Sequence, residues 1–233
     1  GVEQICKDLT VEVDESPEGN MAAPGAFLGA GTYGRVIRVR SIAATDSSTK
    51  LLALKVSLSK NGGELEVEHG RVVSHANACN CTLLVRPESM LCTTGGLCGY
   101  LMSPVGQPFV RRQSLTDEML KRAVQALRGL HTHNPPIIHG DARLTNLIIR
   151  PGDGGLTWVD LSHSQWGLGY LLIGLKKDVT TFIGSVIGDA YRKGYPHFEE
   201  FEKCATACAK LSSEDNYDAL YEMLSRCLMS VGL

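Results

Sequence analysis

The spacing of apolar residues changes character between about residues 103 and 114, and this change restricts the fold more than any other feature of the chain. Before it, Phe27-Leu28, residues 34–40 and residues 51–58 are β-branched or alternating runs with the side-chain period of a strand. Residues 41–50, SIAATDSSTK, suit a turn-rich connection, residues 64–77 a short helix, and residues 82–92 and 97–102 two more strands. After it, Ser114 or Thr116 can cap a helix that opens with Asp117-Glu118. In that helix Met119, Leu120, Ala123, Leu127 and Leu130 recur at intervals of three and four, and it must stop before Pro135-Pro136. Two brief strands, 147–150 and 156–159, are joined by PGDGG, and from about Asp178 the pattern is helical to the end, with breaks near KGYP and LSSED. The order predicts an α+β, two-lobed architecture. A β-rich N-lobe with an N-terminal extension spans residues 1–103, a compact helical C-lobe spans 104–233, and the boundary falls in SPVGQP.

Composition removes several classes of function. The net charge of −2 gives no global attraction to nucleic acid or to anionic lipid, so neither is expected as a partner. No apolar run approaches the roughly 20 residues of a membrane-spanning helix, and the opening residues have neither the basic start nor the apolar stretch of a secretion signal. Eight cysteines stand at 6, 79, 81, 92, 98, 204, 208 and 227. Cys79, Cys81, Cys92 and Cys98 with His75 can be drawn as a metal site, but their spacing matches no common CxxC pair. They are expected to be free, mostly buried thiols in a reducing, intracellular compartment.

Four groups of residues can carry chemistry. Leu28 to Val36, LGAGTYGRV, has glycines at 29, 31 and 34. Glycine amides can approach phosphate oxygens closely, and glycines also serve purely structural hairpins. A dinucleotide-binding turn would open a helix, whereas Val36-Ile37-Arg38-Val39-Arg40 continues as a strand, so a flap over nucleotide phosphates is the functional alternative. Lys55 sits in the apolar strand Ala53-Leu54-Lys55-Val56, and a lysine facing an interior needs a phosphate or a carboxylate. Glu64, Glu66 and Glu68 supply carboxylates; Glu68 is preferred because Val72 lies one turn later on its face, Glu64 is the fallback, and each could simply be a solvated side chain.

In HGDARLTN, Asp141 can accept a hydroxyl proton, the Asn146 carbonyl can hold magnesium, and Arg143 offers a permanent positive charge to a transferring phosphoryl group. His139 reads as a support for the loop. Asp160, at the end of the strand LTWVD, is placed to be a second metal ligand, or else to cap the next turn.

The glycine loop, the AxK lysine, HxDxxxxN and the later aspartate, in that order over about Leu28 to Asp178, resemble the protein-kinase-like superfamily. The resemblance implies a Mg2+-dependent ATP phosphotransferase with a shortened C-lobe. Gly29, Gly31, Gly34 and Val36 would cover the phosphates, and Lys55 paired with Glu68 would hold the α and β phosphates. Ala53 and Met102 would line the adenine pocket, with the backbone of Ser103 to Val105 meeting the base. Asp141 would orient and deprotonate the acceptor, Asn146 and Asp160 would bind magnesium, and Asp178 would anchor the catalytic loop from a core helix.

The departures narrow this further. Gly140 stands where protein kinases often have an arginine that meets an activation-loop phosphate, so switching by loop phosphorylation is not expected. Asp160-Leu161-Ser162 replaces DFG, and the stretch from Asp160 to Asp178 has no APE-like segment. HGD is shared with small-molecule phosphotransferases, whereas Arg143 occupies the position where Ser/Thr protein kinases carry lysine. The whole string HGDARLTNLII is similar to the kinase-like domains of Crinkler effectors, a family that implies action inside another organism's cells, often in the nucleus. A Ser/Thr protein kinase, its own chain included among its substrates, is the leading expectation. The alternatives are a small-molecule kinase of the aminoglycoside or choline type, and a pseudokinase that binds nucleotide or a partner.

Overall fold

The computed structural model describes residues 1–15, 27–31, 34–42, 50–57, 62–78, 81–93, 97–109, 115–166, 171–188, 196–211, 213 and 215–230. Among them the architecture is α+β, with six α-helices and an antiparallel main sheet. Cys79, Thr32, Tyr33, Ser114 and most of the SIAATDSSTK and KGYP segments lie outside the described residues. The chain divides into two compact units, Gly1–Ala78 with Val85–Val105, and Cys79–Leu84 with Gly106–Leu233. No helix among the described residues is long and apolar enough to cross a membrane.

The first unit is built on a sheet of β1 (Val11–Val13), β2 (Phe27–Gly31), β3 (Gly34–Ser41), β4 (Leu51–Ser57), β5 (Arg86–Cys92) and β6 (Cys98–Ser103). Its order is β1-β3-β4-β6-β5, and β2 shares the β1 edge of β3. Alternation along β4 sends Leu52, Leu54 and Val56 into a core with Val39, Leu101 and Val11. Helix α1 (Val2–Asp8) closes that core with Ile5 and Cys6, so the N-terminal extension is part of the lobe's packing. Helix α2 (Gly62–Ala78) packs on β4, β5 and β6.

In the second unit, α3 (Asp117–His131) buries Leu120, Ala123, Val124, Leu127 and Leu130 along one face. The Thr116 hydroxyl accepts the Met119 N–H at 3.2 Å, an N-cap worth about 1 kcal/mol. Strand β7 (Gln107–Pro108) precedes this helix, and after it come β8 (Ile137–Ile138), the hairpin β9 (Leu147–Ile149) and β10 (Leu156–Trp158), and β11 (Gln165–Trp166). Helices α4 (Leu171–Ile187), α5 (Phe198–Ala209) and α6 (Asp215–Ser230) complete it.

Three expectations need correction. Helix α4 begins at Leu171 and not near Asp178, because Leu171 and Leu175 pack on Ile138 and Ala209. Strand β5 begins at Arg86. Residues 81–84 belong instead with the second unit, where the Trp158 N–H donates to Leu83 O at 2.7 Å and Arg150 Nη1 to Thr82 O at 2.8 Å. The cysteines are not all free, since Cys92 and Cys98 are Cα partners across β5 and β6 and form a disulfide. Cys6, Cys204 and Cys208 are buried free thiols, Cys81 is buried and Cys227 half-buried. Cysteine usage therefore gives no support to a reducing compartment.

Candidate functional site

In the first unit the strand period assembles one group of predicted residues. Because Leu52, Leu54 and Val56 take the α1 side of the sheet, Ala53 and Lys55 take the other. The Cα partners of Lys55 are Val36 and Tyr100, and the partner of Ala53 in β6 is Met102, so all of these share one face. Lys55 Nζ lies 2.8 and 2.6 Å from the two carboxylate oxygens of Glu68 in α2, and the Tyr100 hydroxyl donates to Glu68 Oε1 at 2.8 Å. Lys55 is 6% and Glu68 1% exposed, whereas Glu64 is exposed. Burying such a pair costs desolvation that roughly cancels its attraction, so stability alone does not account for it. A buried lysine held by a carboxylate is instead a cation kept at a fixed place.

The three glycines have different surroundings. Gly31 and Gly34 are partners at the end of the β2–β3 hairpin. A Cβ on Gly34 would stand 2.4 Å from Val56 O, so glycine is required there by the approach of β4. A Cβ on Gly29 would meet nothing within 4 Å, and it lies where the β2–β3 register shifts. Met102 is buried between Ala53 and Pro87, the Ser103 hydroxyl donates to Glu88 Oε1 at 2.7 Å, and Val105 is half-buried at the end of this unit.

In the second unit, the loop between β8 and β9 is held from α4. Asp178, fully buried, accepts the backbone N–H of His139 at 2.6 Å and of Gly140 at 2.8 Å. Seven residues along, Ser185 Oγ accepts the Leu144 N–H at 3.1 Å. Gly140 has φ +84°, and a Cβ on it would meet His163 O at 2.3 Å. His139 is buried against the Trp158 ring, its Nδ1 accepting the Asp141 N–H at 3.2 Å and its Nε2 donating to Val159 O at 3.0 Å. Both ring nitrogens are thus used by the backbone. Burial holds its pKa below the ordinary histidine value, against the pull of Asp178, so the ring stays neutral and structural.

These anchors place the polar residues. Arg143 Nε lies 2.7 Å from Asp141 Oδ1, and Asn146 Nδ2 donates to Asp141 O at 2.8 Å and to Asp141 Oδ2 at 3.2 Å. With its amide nitrogen so committed, Asn146 has Oδ1 to offer a cation. The Val159 N–H donates to Asn146 O at 2.9 Å, extending the β9–β10 ladder and bringing Asp160 to the same end of the hairpin. Asp160 has φ 61° and ψ 62°, a left-handed conformation that costs a non-glycine residue about 1–3 kcal/mol unless its surroundings impose it. Ser162 Oγ donates to Asp160 Oδ1 at 3.3 Å. An amide oxygen, a carboxylate and solvent make an oxygen donor set that fits Mg2+.

Sequence reasoning missed four members of these networks. Tyr100 adds a hydroxyl to the Lys55–Glu68 pair, and its ring meets that of His69 at a tilt of 53°, centroids 5.3 Å apart. His131 Nε2 stands 3.4 Å from Asp178 Oδ2, its Nδ1 is 2.5 Å from the Tyr217 hydroxyl, and Ser185 holds the loop. The Tyr217 hydroxyl is pushed above its ordinary pKa, chiefly by burial, so it keeps its proton beside His131 Nδ1. Only Ser185 carried a sequence signal, its spacing of two helical turns from Asp178. No protein-family model matches this chain, and no curated protein matches it in sequence.

Proposed function

We propose that the protein is a Mg2+-dependent phosphotransferase with the two-lobed protein-kinase-like fold that its motifs resemble. It moves the γ-phosphoryl group of ATP to a serine or threonine hydroxyl of a protein, its own chain included. The observation that supports this most is the loop tied to Asp178 and Ser185, in which Asp141 and Asn146 face one another beside the strand end that carries Asp160. In this reading Asp141 accepts the proton of the attacking hydroxyl as the new O–P bond forms and the bond to ADP breaks. Arg143, paired with Asp141 at rest, turns to the charge on the phosphoryl group. Asn146 and Asp160 hold magnesium, which when bound neutralises charge on the phosphates. Lys55, kept in place by Glu68, meets the α and β phosphates. Gly29 and Gly31 with Val36 cover the phosphates, Gly34 keeps that hairpin on β4, and Ala53, Met102, Ser103 and Val105 receive adenine. The Crinkler resemblance supports an effector role inside another organism's cells.

A second reading keeps the chemistry and changes the acceptor to a small molecule. It is favoured by the short path from Asp160 to the start of α4 at Leu171, which leaves little chain for docking a peptide. Both readings are tested by labelled ATP with magnesium, offered to the protein alone, to a mixed protein substrate, and to an aminoglycoside or choline. Label should enter protein with the parent and fall by about 10²–10⁴-fold in Asp141→Ala, with a comparable loss in Lys55→Met. Label in the small molecule alone selects the second reading. Equal labelling by all three proteins, or nucleotide binding without transfer to any acceptor, overturns the enzyme in favour of a binding module.

A further inference from the structure

On the first unit, away from Lys55, Cys92 at the end of β5 and Cys98 at the start of β6 stand directly opposite one another. Glu66, on α2, brings Oε1 to 3.1 Å from Cys92 Sγ, and one ligand atom from each of the three residues lies within 4.8 Å of the others. Cys98 is buried at 3% exposure, whereas Cys92 and Glu66 are exposed, so the group has a closed floor and an open side. We propose that this trio is a redox-gated site for a thiophilic divalent cation of the Zn2+ class.

In the oxidised protein the sulfurs are spent on each other and offer no thiolate. A phosphine or thiol reductant supplies two electrons, the S–S bond breaks, and two protons complete the thiols. A cation then displaces those protons and binds two thiolates and one carboxylate, with water in the fourth position. Zinc–sulfur bonds of about 2.3 Å and zinc–oxygen bonds of about 2.0–2.2 Å set ligand atoms roughly 3.5–4 Å apart. The sulfurs separate and the Glu66 carboxylate, already within 4.8 Å of both, adjusts to reach that spacing. The ligands come from three elements, so no sequence spacing announces them. The cation would also join α2 to the β5–β6 hairpin, a link that the disulfide, confined to the two strands, does not make.

The test is titration of the full chain with Co2+ after reduction by a phosphine, following the sulfur-to-cobalt charge-transfer absorption, with Zn2+ competition. Reduced parent should gain one cobalt equivalent that zinc displaces, and the oxidised protein should lack it. Cys92→Ser, an exposed position, should remove the band. Glu66→Gln should weaken cobalt binding at least about tenfold, since even loss of an outer-shell partner costs about 10–100-fold. Circular dichroism confirms that both variants are folded, and neither depends on the buried Cys98. Absence of the band in folded, reduced parent overturns the proposal. So does an undiminished band in Cys92→Ser, which would put cobalt on other thiols, or equal binding by the oxidised protein.

Discussion

Gly140 donates its backbone N–H to Asp178 Oδ1 at 2.8 Å, across 38 residues of sequence and from a φ of +84°. The second oxygen of the same carboxylate takes the His139 N–H at 2.6 Å. Asp178→Ala leaves the buried His139 amide and the part-buried Gly140 amide without this acceptor, at about 1–3 kcal/mol for the first and less for the second. Urea unfolding should show a loss of about 2–5 kcal/mol, and the His139 and Gly140 amides should exchange faster than those of α3.

Glycines 140, 34 and 29 should respond differently to one methyl group. Gly140→Ala and Gly34→Ala place a Cβ 2.3 Å from His163 O and 2.4 Å from Val56 O, so both should lower the denaturation midpoint. Gly29→Ala meets nothing within 4 Å and should leave the midpoint unchanged while weakening ATP binding in a nucleotide titration. If the midpoint falls for Gly29→Ala as far as for Gly34→Ala, Gly29 belongs to the hairpin and not to phosphate.

The Lys55–Glu68 pair should behave as a unit. Glu68→Ala removes the carboxylate that a buried ammonium faces and should cost up to about 3–5 kcal/mol, whereas Lys55→Met combined with Glu68→Leu should recover most of that loss. Tyr100→Phe removes a hydrogen bond to a charged carboxylate and should cost about 1.5–3 kcal/mol. A double-mutant cycle on unfolding free energies measures the coupling.

His139 gives stability a defined pH dependence. Its folded pKa is lowered by burial, although Asp178, Asp160 and Asp141 oppose that shift. The unfolded chain therefore binds a proton that the folded one refuses. The contribution is complete above about pH 6.5 and is lost as pH falls from there toward the folded pKa, by at most about 1.4 kcal/mol per pH unit. His69, also lowered by burial, acts in the same direction. His139→Gln should flatten the fall in urea midpoint between about pH 7 and pH 5 without abolishing it. An unchanged slope would mean that the buried ring does not resist protonation.

The legible part of the sequence was what period and local spacing encode. A lysine inside an apolar run demanded an anion, but Glu64 and Glu68 share one helix face, and the structure settles the pairing on Glu68, one turn before the fully buried Val72. The nearness of Asp141 to Asn146, and of Asp160 to the same hairpin end, was legible because a short loop and one hairpin carry all three. What escaped depends on contacts distant in sequence. Tyr100 reads as an ordinary strand aromatic until β6 is set beside β4, and Tyr217 lies 86 residues from the His131 it touches. The Cys92–Cys98 bond is six residues wide but needs the β5–β6 register, which the turn between the strands does not declare. Residues 82–84 looked like strand because Leu83, Leu84 and Val85 form an apolar run. Their partner is Trp158, and that pairing draws them into the other unit.

Asp178 and Ser185 stand two turns apart on one side of α4, about 10 Å along its axis, and the loop hangs from both. The helix thereby acts as a ruler for the loop above it, setting the span between His139 and Leu144 by its pitch. One residue inserted between the two pegs would turn one about 100° away from the other. Asp141 would then lose its place although no residue of the loop had changed.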